Sequence, residues 1–238
     1  MRPHRGSLVV AGIATFALAV AGFASAPQGP AAEAVSFPTS DGGKVFALLY
    51  GSGGDRGVVL AHGGRFNKES WDAQAKDLAA RGFRALAIDF RGYGQSRGPG
   101  DADPLSAPLD QDVLAAVRFL HERGVKSVSV IGASMGGGAA ADAAVESRPG
   151  EIDRVVLLAG HGYKPPEKMK GRKLFILARD DASGSGIPRR VEIQKHFDRC
   201  PEPKKLVLLE GTAHAQFLFE TDQAERLWRE IVSFLEAP

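Results

Sequence analysis

The sequence has almost no cysteine. Cys200 is the single cysteine among 238 residues, which excludes an intramolecular disulfide. It lies between Asp198-Arg199 and Pro201, outside any turn that typically presents a nucleophile, so we expect a structural, inert thiol. No grouping of His, Cys, Asp and Glu has the spacing of metal ligands, and no glycine loop matches a phosphate cradle. The sequence therefore predicts neither a metal nor another cofactor.

An excess of charge of one sign is also missing. The 30 Lys and Arg residues and the 28 Asp and Glu residues leave a net charge of +2, and the two signs are interspersed. Basic residues do not cluster with aromatic residues, which excludes the usual footprint of a nucleic-acid partner. A chain of 238 residues that is 44% hydrophobic is sufficient for one sizeable core. We expect a single α/β domain and no second one.

Charged side chains are absent from residues 6–26, an apolar run that directly follows Arg2, His4 and Arg5. A positive start followed by an apolar run is typical of an export signal. If this segment were not cleaved, it would be almost long enough to anchor the protein, because a membrane span needs about 20 apolar residues.

Two small-x-small patterns mark candidate cleavage sites after this run. Ala24-Ser25-Ala26 is followed at once by Pro27, which hinders cleavage, and Ala32-Glu33-Ala34 is the second candidate. We therefore predict a signal peptide (or uncleaved anchor) and linker over 1–34, and a folded domain over 35–238. The protein is expected to be exported, to the periplasm or the medium, and to meet a membrane only through an uncleaved anchor.

Apolar runs alternate with helical patterns along the rest of the chain. Strands with continuous apolar runs are typical of a parallel sheet that helices cover on both faces, and the repeated strand-helix order predicts the same architecture. Two short strands are expected within 35–50. Further strands are predicted over 57–61, 84–90, 126–131, 154–159, 173–178 and 204–209, and helices over 71–81, 109–123, 135–147, 187–198 and 221–235.

The most informative motif is Gly132-Ala133-Ser134-Met135-Gly136, a G-x-S-x-G pattern between a predicted strand and a predicted helix. A serine that projects from such a tight turn has strained backbone angles, and a Cβ two residues before or after it would clash. The N–H groups at the start of the helix point to the place where negative charge would develop.

A serine nucleophile requires a base, and the base requires a partner that holds its tautomer. Asp180 and Asp181 directly follow the predicted strand 173–178, and His214 follows the strand 204–209. The carboxyl ends of parallel strands meet at one edge of a sheet, so these groups are expected near Ser134. The chain order is serine, aspartate, histidine, as expected for a nucleophile on a strand-turn-helix elbow.

Four motifs in this order resemble the α/β-hydrolase superfamily, in particular its serine esterases and lipases. The chain is similar to the small dienelactone-hydrolase-like and monoglyceride-lipase-like branches that lack a cap domain, over residues 45–235. The resemblance implies a mostly parallel sheet of about eight strands with helices on both faces. The matching segments are His62-Gly63-Gly64, Asp89-Phe90-Arg91-Gly92-Tyr93-Gly94-Gln95-Ser96, Gly132-Ala133-Ser134-Met135-Gly136-Gly137 and Glu210-Gly211-Thr212-Ala213-His214.

The resemblance implies that Ser134 is the nucleophile, His214 the general base, and Asp181, rather than Asp180, the acid. It also implies that the N–H groups of Gly64 and Met135 form an oxyanion hole. His62 is then a structural histidine beside that hole, bonded to backbone, and Arg91 is expected to tie loops together.

Larger relatives insert a cap domain after the strand predicted at 154–159, whereas only residues 161–172 intervene here. The cleft is therefore expected to be open, bordered by Phe66, Trp71, Tyr93 and Tyr163. Two interpretations of His161 stay open, a pocket residue or a solvent-facing one. His121 and His196 lie on predicted helices and are expected at the surface.

The predicted function is hydrolysis of carboxylic esters with short to medium acyl chains through an acyl-enzyme, with a small-molecule ester as partner. An acyltransferase that uses the same triad, with an alcohol in place of water, is the first alternative. A binding domain that has lost catalysis is the second, and it is disfavoured because all three triad positions are filled.

Overall fold

The computed structural model describes Met1 and residues 32–104 and 106–238. The predicted apolar signal and the first cleavage site lie outside these residues. The second candidate site overlaps β1, which begins at Glu33 and pairs with β2, so the sheet begins two residues before the predicted start of the folded domain. Among the described residues, no helix has the length and apolar character that a membrane span requires.

Eight strands form one sheet in the order β1-β2-β4-β3-β5-β6-β7-β8. The pairs β1/β2 and β2/β4 are antiparallel, and every pair from β4 to β8 is parallel. The central strands are buried along almost their whole length, which explains their continuous apolar runs. The strands are β1 Glu33–Pro38, β2 Lys44–Tyr50, β3 Arg56–Ala61, β4 Arg84–Ile88, β5 Ser127–Ala133, β6 Arg154–Leu158, β7 Arg172–Ala178 and β8 Lys204–Leu209.

Among the described residues, four α-helices connect these strands and a fifth follows the last strand, and the handedness of the parallel connections determines the faces of the connecting helices. The chain moves one way from β3 to β4 and then the opposite way from β4 to β5, β6 and onward. Right-handed crossovers therefore place α1 on one face and α2, α3 and α4 on the other. On the α1 face, Trp228 Nε1 of α5 donates to Asp77 Oδ2 of α1 at 2.8 Å. The helices are α1 Asp72–Ala80, α2 Leu109–Glu122, α3 Met135–Glu146, α4 Arg189–Arg199 and α5 Ala224–Glu236.

This architecture confirms the predicted α/β-hydrolase fold, and the described part of the chain contains no cap domain. Residues 159–171, with one short 3₁₀ turn at Pro166–Lys168, are the whole connection between β6 and β7. From β3 the chain first adds β4 on one side, and it then adds β5 and the later strands on the other side. The loops after β3 and β5 therefore meet at the switch point of the sheet, where α/β proteins bind their ligands.

Arg91 ties three segments together beside this edge, as the sequence predicts. Its guanidinium is fully buried and donates to Asp112 Oδ1 of α2 at 2.7 Å, to Asp41 Oδ2 of the β1–β2 turn at 2.6 Å and to the Pro99 carbonyl at 2.9 Å. The hydrogen bond from Arg91 lowers the pKa of Asp41 from 3.8 to about 2. Asp41 therefore stabilises the fold above about pH 4, and this contribution is lost as the pH falls towards 2.

Cys200 is buried, with Sγ 3.5 Å from Met169 Sδ, and burial raises the pKa of its thiol to about 11. A thiol that remains protonated and out of contact with solvent is a poor nucleophile, so the structure agrees with the expected inert role.

We predict that Arg91→Met lowers the free energy of unfolding by about 3–5 kcal/mol, because Asp112 would remain as a buried, uncompensated charge. Arg229→Met is the matched control, since Arg229 pairs with Glu225 on the exposed face of α5 and such pairs contribute about 0–1 kcal/mol. Urea denaturation of both variants measures the difference. Equal effects of the two substitutions would contradict the central role of Arg91.

Candidate active site

Ser134 lies on the turn between β5 and α3, with φ 51° and ψ −112°. The left-handed conformation costs energy for a residue with a Cβ, and close packing of the backbone holds it in place. A Cβ on Gly132 would lie 2.2 Å from the Gly136 carbonyl oxygen, and one on Gly136 would lie 2.4 Å from the Ala61 carbonyl oxygen. The two outer positions of the motif therefore accept only glycine.

Three predicted residues from three loops meet at this turn. His214 Nε2 is 2.7 Å from Ser134 Oγ, and His214 Nδ1 is 2.7 Å from Asp181 Oδ2. Asp181 is 1% exposed, whereas a quarter of the His214 side chain is exposed. With Nδ1 donating to the carboxylate, Nε2 carries the lone pair that accepts the serine proton.

The structure brings Asp181, and not Asp180, to the histidine. Asp180 is exposed, and its N–H donates to the Gly211 carbonyl at 3.0 Å, so it holds the loop after β7 against the loop after β8. Asp181 Oδ1 forms an ion pair with Arg189 Nε at 3.4 Å, although the two atoms lack the geometry of a hydrogen bond.

Backbone strain is concentrated around the site. Among the described residues, only Ser134, Ala159 and Ala215 have a positive φ without being glycine. Ala159 directly follows β6 and lines the cavity with Ser134, and Ala215 directly follows His214. Residues in sparsely populated backbone regions persist only where the surrounding structure enforces them, and they cluster at functional sites.

Two backbone N–H groups beside Ser134 are available to an anion. Met135 is the first residue of α3, so its N–H has no acceptor in the helix and carries the positive end of the helix dipole. Gly64 uses its carbonyl to accept from Tyr93 Oη at 3.0 Å, and its N–H has no acceptor within 32–104 and 106–238.

His62 is fully buried next to these donors. Its Nδ1 lies 2.8 Å from the Gly63 carbonyl, and its Nε2 accepts from Phe90 N–H at 3.3 Å. Burial lowers the pKa of His62, so the ring is neutral at neutral pH and Nδ1 is the atom that donates. Both ring nitrogens therefore bond to backbone beside the predicted oxyanion hole.

Sequence reasoning missed Gln216, which connects the two halves of the site. Its Oε1 accepts from Gly63 N–H at 2.7 Å and its Nε2 donates to Ser70 Oγ at 3.0 Å, with the residue only 5% exposed. Gln216 follows His214 by two residues, in a short 3₁₀ turn (Ala215–Glu220). No motif identifies it, because its partners are distant in sequence.

A cavity of about 330 Å³ opens beside Ser134. Apolar side chains and glycines line most of it, and polar side chains gather at Asp110, Asp142, His161, Tyr163 and Arg189. The open question about His161 is thereby answered, because this residue lines the pocket.

Two sequence predictions about the surroundings are wrong. Trp71 does not border the cleft: it is fully buried and packs edge-on against Phe219 at 5.9 Å. His196 is not at the surface, because α4 packs it between His161 and Phe175, and burial lowers its pKa to about 4. His121 is half-buried and bonds to the carbonyls of Val125 and Glu151.

Several curated proteins are similar in sequence to this chain. A non-heme haloperoxidase from Rhodococcus erythropolis is 31% identical over 155 residues, which are 64% of this chain and 49% of that protein. A bifunctional esterase/perhydrolase from Acinetobacter calcoaceticus is 28% identical over 153 residues, 64% of this chain and 50% of that protein. The chain spans about half the length of the curated relatives it matches.

Solved structures share the fold. An esterase from Pyrococcus furiosus superposes with a TM-score of 0.70 at 22% identity, covering 86% of this chain and 89% of that one. An esterase from Exiguobacterium antarcticum superposes with a TM-score of 0.68 at 15% identity, covering 86% and 100%. The sequence pattern of the "Alpha/beta hydrolase family" matches residues 58–235, three quarters of the chain. The chain therefore belongs to the alpha/beta hydrolase family.

Proposed function

We propose that this protein is a serine hydrolase that cleaves carboxylic esters through an acyl-enzyme. One observation carries the proposal: Ser134, His214 and Asp181 form two successive 2.7 Å contacts at a strained strand-to-helix turn. Among the relatives, an esterase/perhydrolase and two structurally similar esterases support the same chemistry.

In the first step, His214 Nε2 takes the proton of Ser134 Oγ while the oxygen attacks the ester carbonyl carbon. Asp181 holds the ring and stabilises the imidazolium. The carbonyl oxygen becomes an oxyanion, and the N–H groups of Met135 and Gly64 bind it. Because the backbone holds these donors in place beforehand, they need no reorganisation when the charge develops.

The tetrahedral intermediate collapses as the bond to the alkoxide breaks and His214 returns the proton to the leaving oxygen. Water then loses a proton to His214 and attacks the acyl-serine carbonyl. The bond between the acyl carbon and Ser134 Oγ breaks, His214 returns the proton to Oγ, and the acid is released. An alcohol in place of water would give a transesterified product, so analysis of products with added alcohol separates a hydrolase from a transferase.

We predict that Ser134→Ala abolishes ester hydrolysis and labelling by a fluorophosphonate probe. Loss of a triad serine lowers kcat by about a millionfold in a serine hydrolase. Turnover of p-nitrophenyl butyrate and gel-based labelling are the two measurements, with circular dichroism to check the fold. A folded alanine variant with the wild-type rate would disprove the proposal.

A second prediction distinguishes the neighbouring carboxylates. Asp181→Asn should lower kcat about ten-thousandfold, because an amide at this position stabilises the wrong tautomer of His214. Asp180→Asn serves as the matched control and should change kcat less than about threefold, since its side chain is exposed and does not contact the ring. The opposite ranking would exclude Asp181 as the triad acid.

Gln216 is proposed to position the loop that carries the Gly64 donor. Without its carbonyl oxygen, the buried N–H of Gly63 has no acceptor, and a donor left unpaired in this way costs about 1–3 kcal/mol. The turn that presents His214 to the serine would then no longer be joined to the turn that presents the oxyanion donor.

We therefore predict that Gln216→Leu lowers kcat about 10- to 100-fold, less than the roughly hundred- to thousandfold loss caused by removal of an oxyanion donor. KM should change less than about threefold, and affinity for a boronic acid that mimics the tetrahedral intermediate should fall with kcat. Gln194→Leu on α4 is the control. A fall in thermal stability with kcat intact would make Gln216 merely structural.

The missing cap leads to a prediction about acyl chains. Only residues 159–171 lie between β6 and β7, and no helical lid covers Ser134 within the described residues, so we expect that the enzyme needs no interface to open its site. Soluble esters of roughly two to eight acyl carbons should be preferred, since each methylene buried in a small pocket adds only about 0.8 kcal/mol. A rate jump when triglyceride passes its solubility limit would contradict this prediction.

A further inference from the structure

The cavity beside Ser134 follows one face of α3. Ser134, Gly138 and Asp142 all line it, and residues four apart lie above one another on a helix. At 1.5 Å per residue, the eight residues between Ser134 and Asp142 separate the two backbones by about 12 Å along the axis. The floor between them is formed by Gly138 and Ala139, which leave room for a chain.

The position of His214 determines which part of the ester enters. In the proposed reaction the leaving oxygen faces His214 Nε2, which gives it a proton. His214 is not among the residues that line the cavity, whereas Ser134 and Met135 both are. The alcohol therefore leaves on the histidine side, and the cavity receives the acyl chain.

The far end of the cavity has an unused hydrogen-bond acceptor. Asp142 Oδ1 accepts from the N–H groups of Tyr163 at 2.9 Å and Lys164 at 2.8 Å. Its Oδ2 has no partner in the described part of the chain, although the residue lines the cavity. Asp142 is thus held rigidly through one oxygen, and the other is free to accept from a ligand.

The charge around this end is negative. Asp110 also lines the cavity, and its Oδ2 accepts from Lys164 Nζ at 2.8 Å. Lys164 Nζ also pairs with Glu146 at 3.0 Å, so its single positive charge is shared by two carboxylates. The cation that lines the cavity, Arg189, is the partner of Asp181. A donor or positive group is therefore favoured at this end, and a carboxylate is disfavoured.

We propose that the cavity binds an acyl chain that ends in a hydrogen-bond donor, a hydroxyl or an ammonium group, and that Asp142 Oδ2 accepts from it. The Asp142 side chain leans back towards the start of α3, so the donor lies about five to seven atoms from the ester carbonyl. This assignment rests on the proposed ester hydrolysis and defines its substrate class.

Three p-nitrophenyl esters with one leaving group test the assignment: hexanoate, 6-hydroxyhexanoate and 6-aminohexanoate. For the wild type, kcat/KM should be at least about tenfold higher for the two donor-bearing chains than for hexanoate. Preference for one donor alone identifies the hydroxyl or the ammonium as the natural group. Hexanoate as the best of the three substrates would overturn the proposal.

Asp142→Asn is the diagnostic variant, because an asparagine keeps the oxygen that holds the Tyr163–Lys164 backbone and replaces Oδ2 by a donor. The ratio of 6-aminohexanoate to hexanoate should fall at least about tenfold, and an unchanged ratio would overturn the proposal. Glu122→Gln makes the same charge change at an exposed position at the end of α2, outside the cavity lining, and should keep the ratio.

Labelling of Ser134 by a fluorophosphonate distinguishes a failure of this acyl-chain assignment from a failure of the proposed ester hydrolysis. A wild-type protein that neither reacts with the probe nor cleaves any ester disproves the proposed function. A protein that reacts with the probe and cleaves hexanoate without preferring a donor disproves the acyl-chain assignment alone.

Discussion

Close contact between bare backbones at the β5–α3 turn is the constraint on which the site depends. Gly136 lies against the carbonyls of Ala61 and His62, and Gly137 lies against Gly160 of the loop after β6. These contacts bring the ends of three neighbouring strands together without intervening side chains, and they hold Ser134 in a conformation that it would not adopt alone. The burial of the central strands stabilises the fold and so offsets the energetic cost of the strained Ser134 backbone.

The second half of the site depends on the loops after β7 and β8. Asp181 is buried beneath His214, and Ala215, with its positive φ, redirects the chain so that Gln216 reaches the Gly63 backbone. A single turn therefore brings the proposed base to the serine and a hydrogen-bond acceptor to the loop of the second proposed oxyanion donor. In the proposed mechanism, this connection makes the position of the base depend on that of the oxyanion donor. Hydrogen bonds behind the reacting groups maintain the geometry on which the rate depends.

The proposed selectivity depends on the other side of the serine. The small residues of α3 leave a channel, and the short connection between β6 and β7 closes its far end with Tyr163 and Lys164 bound to Asp142. The few residues of this connection shape the end of the proposed acyl pocket and give it charge, and among the described residues no cap domain extends the pocket.

Local pattern was sufficient for the strands, the helices and the elbow. Continuous apolar runs identify the parallel strands, and the glycines of the G-x-S-x-G motif reveal a turn whose backbone leaves no space for Cβ atoms. Trp71 and His196 were misplaced because a periodic pattern does not tell which neighbour covers a side chain. Trp71 is covered by Phe219 and His196 by Phe175, residues far away in sequence.

The amino-acid sequence by itself determined the family, the order of the elements and the candidate nucleophile and base, since each is written in residues that are near one another along the chain. Only the tertiary structure decided between Asp180 and Asp181, found Gln216, and placed Asp142 at the end of the pocket. The physical reason is that the role of a carboxylate depends on which atom it contacts. These contacts form only when strand ends that are far apart in sequence come together at one edge of the sheet.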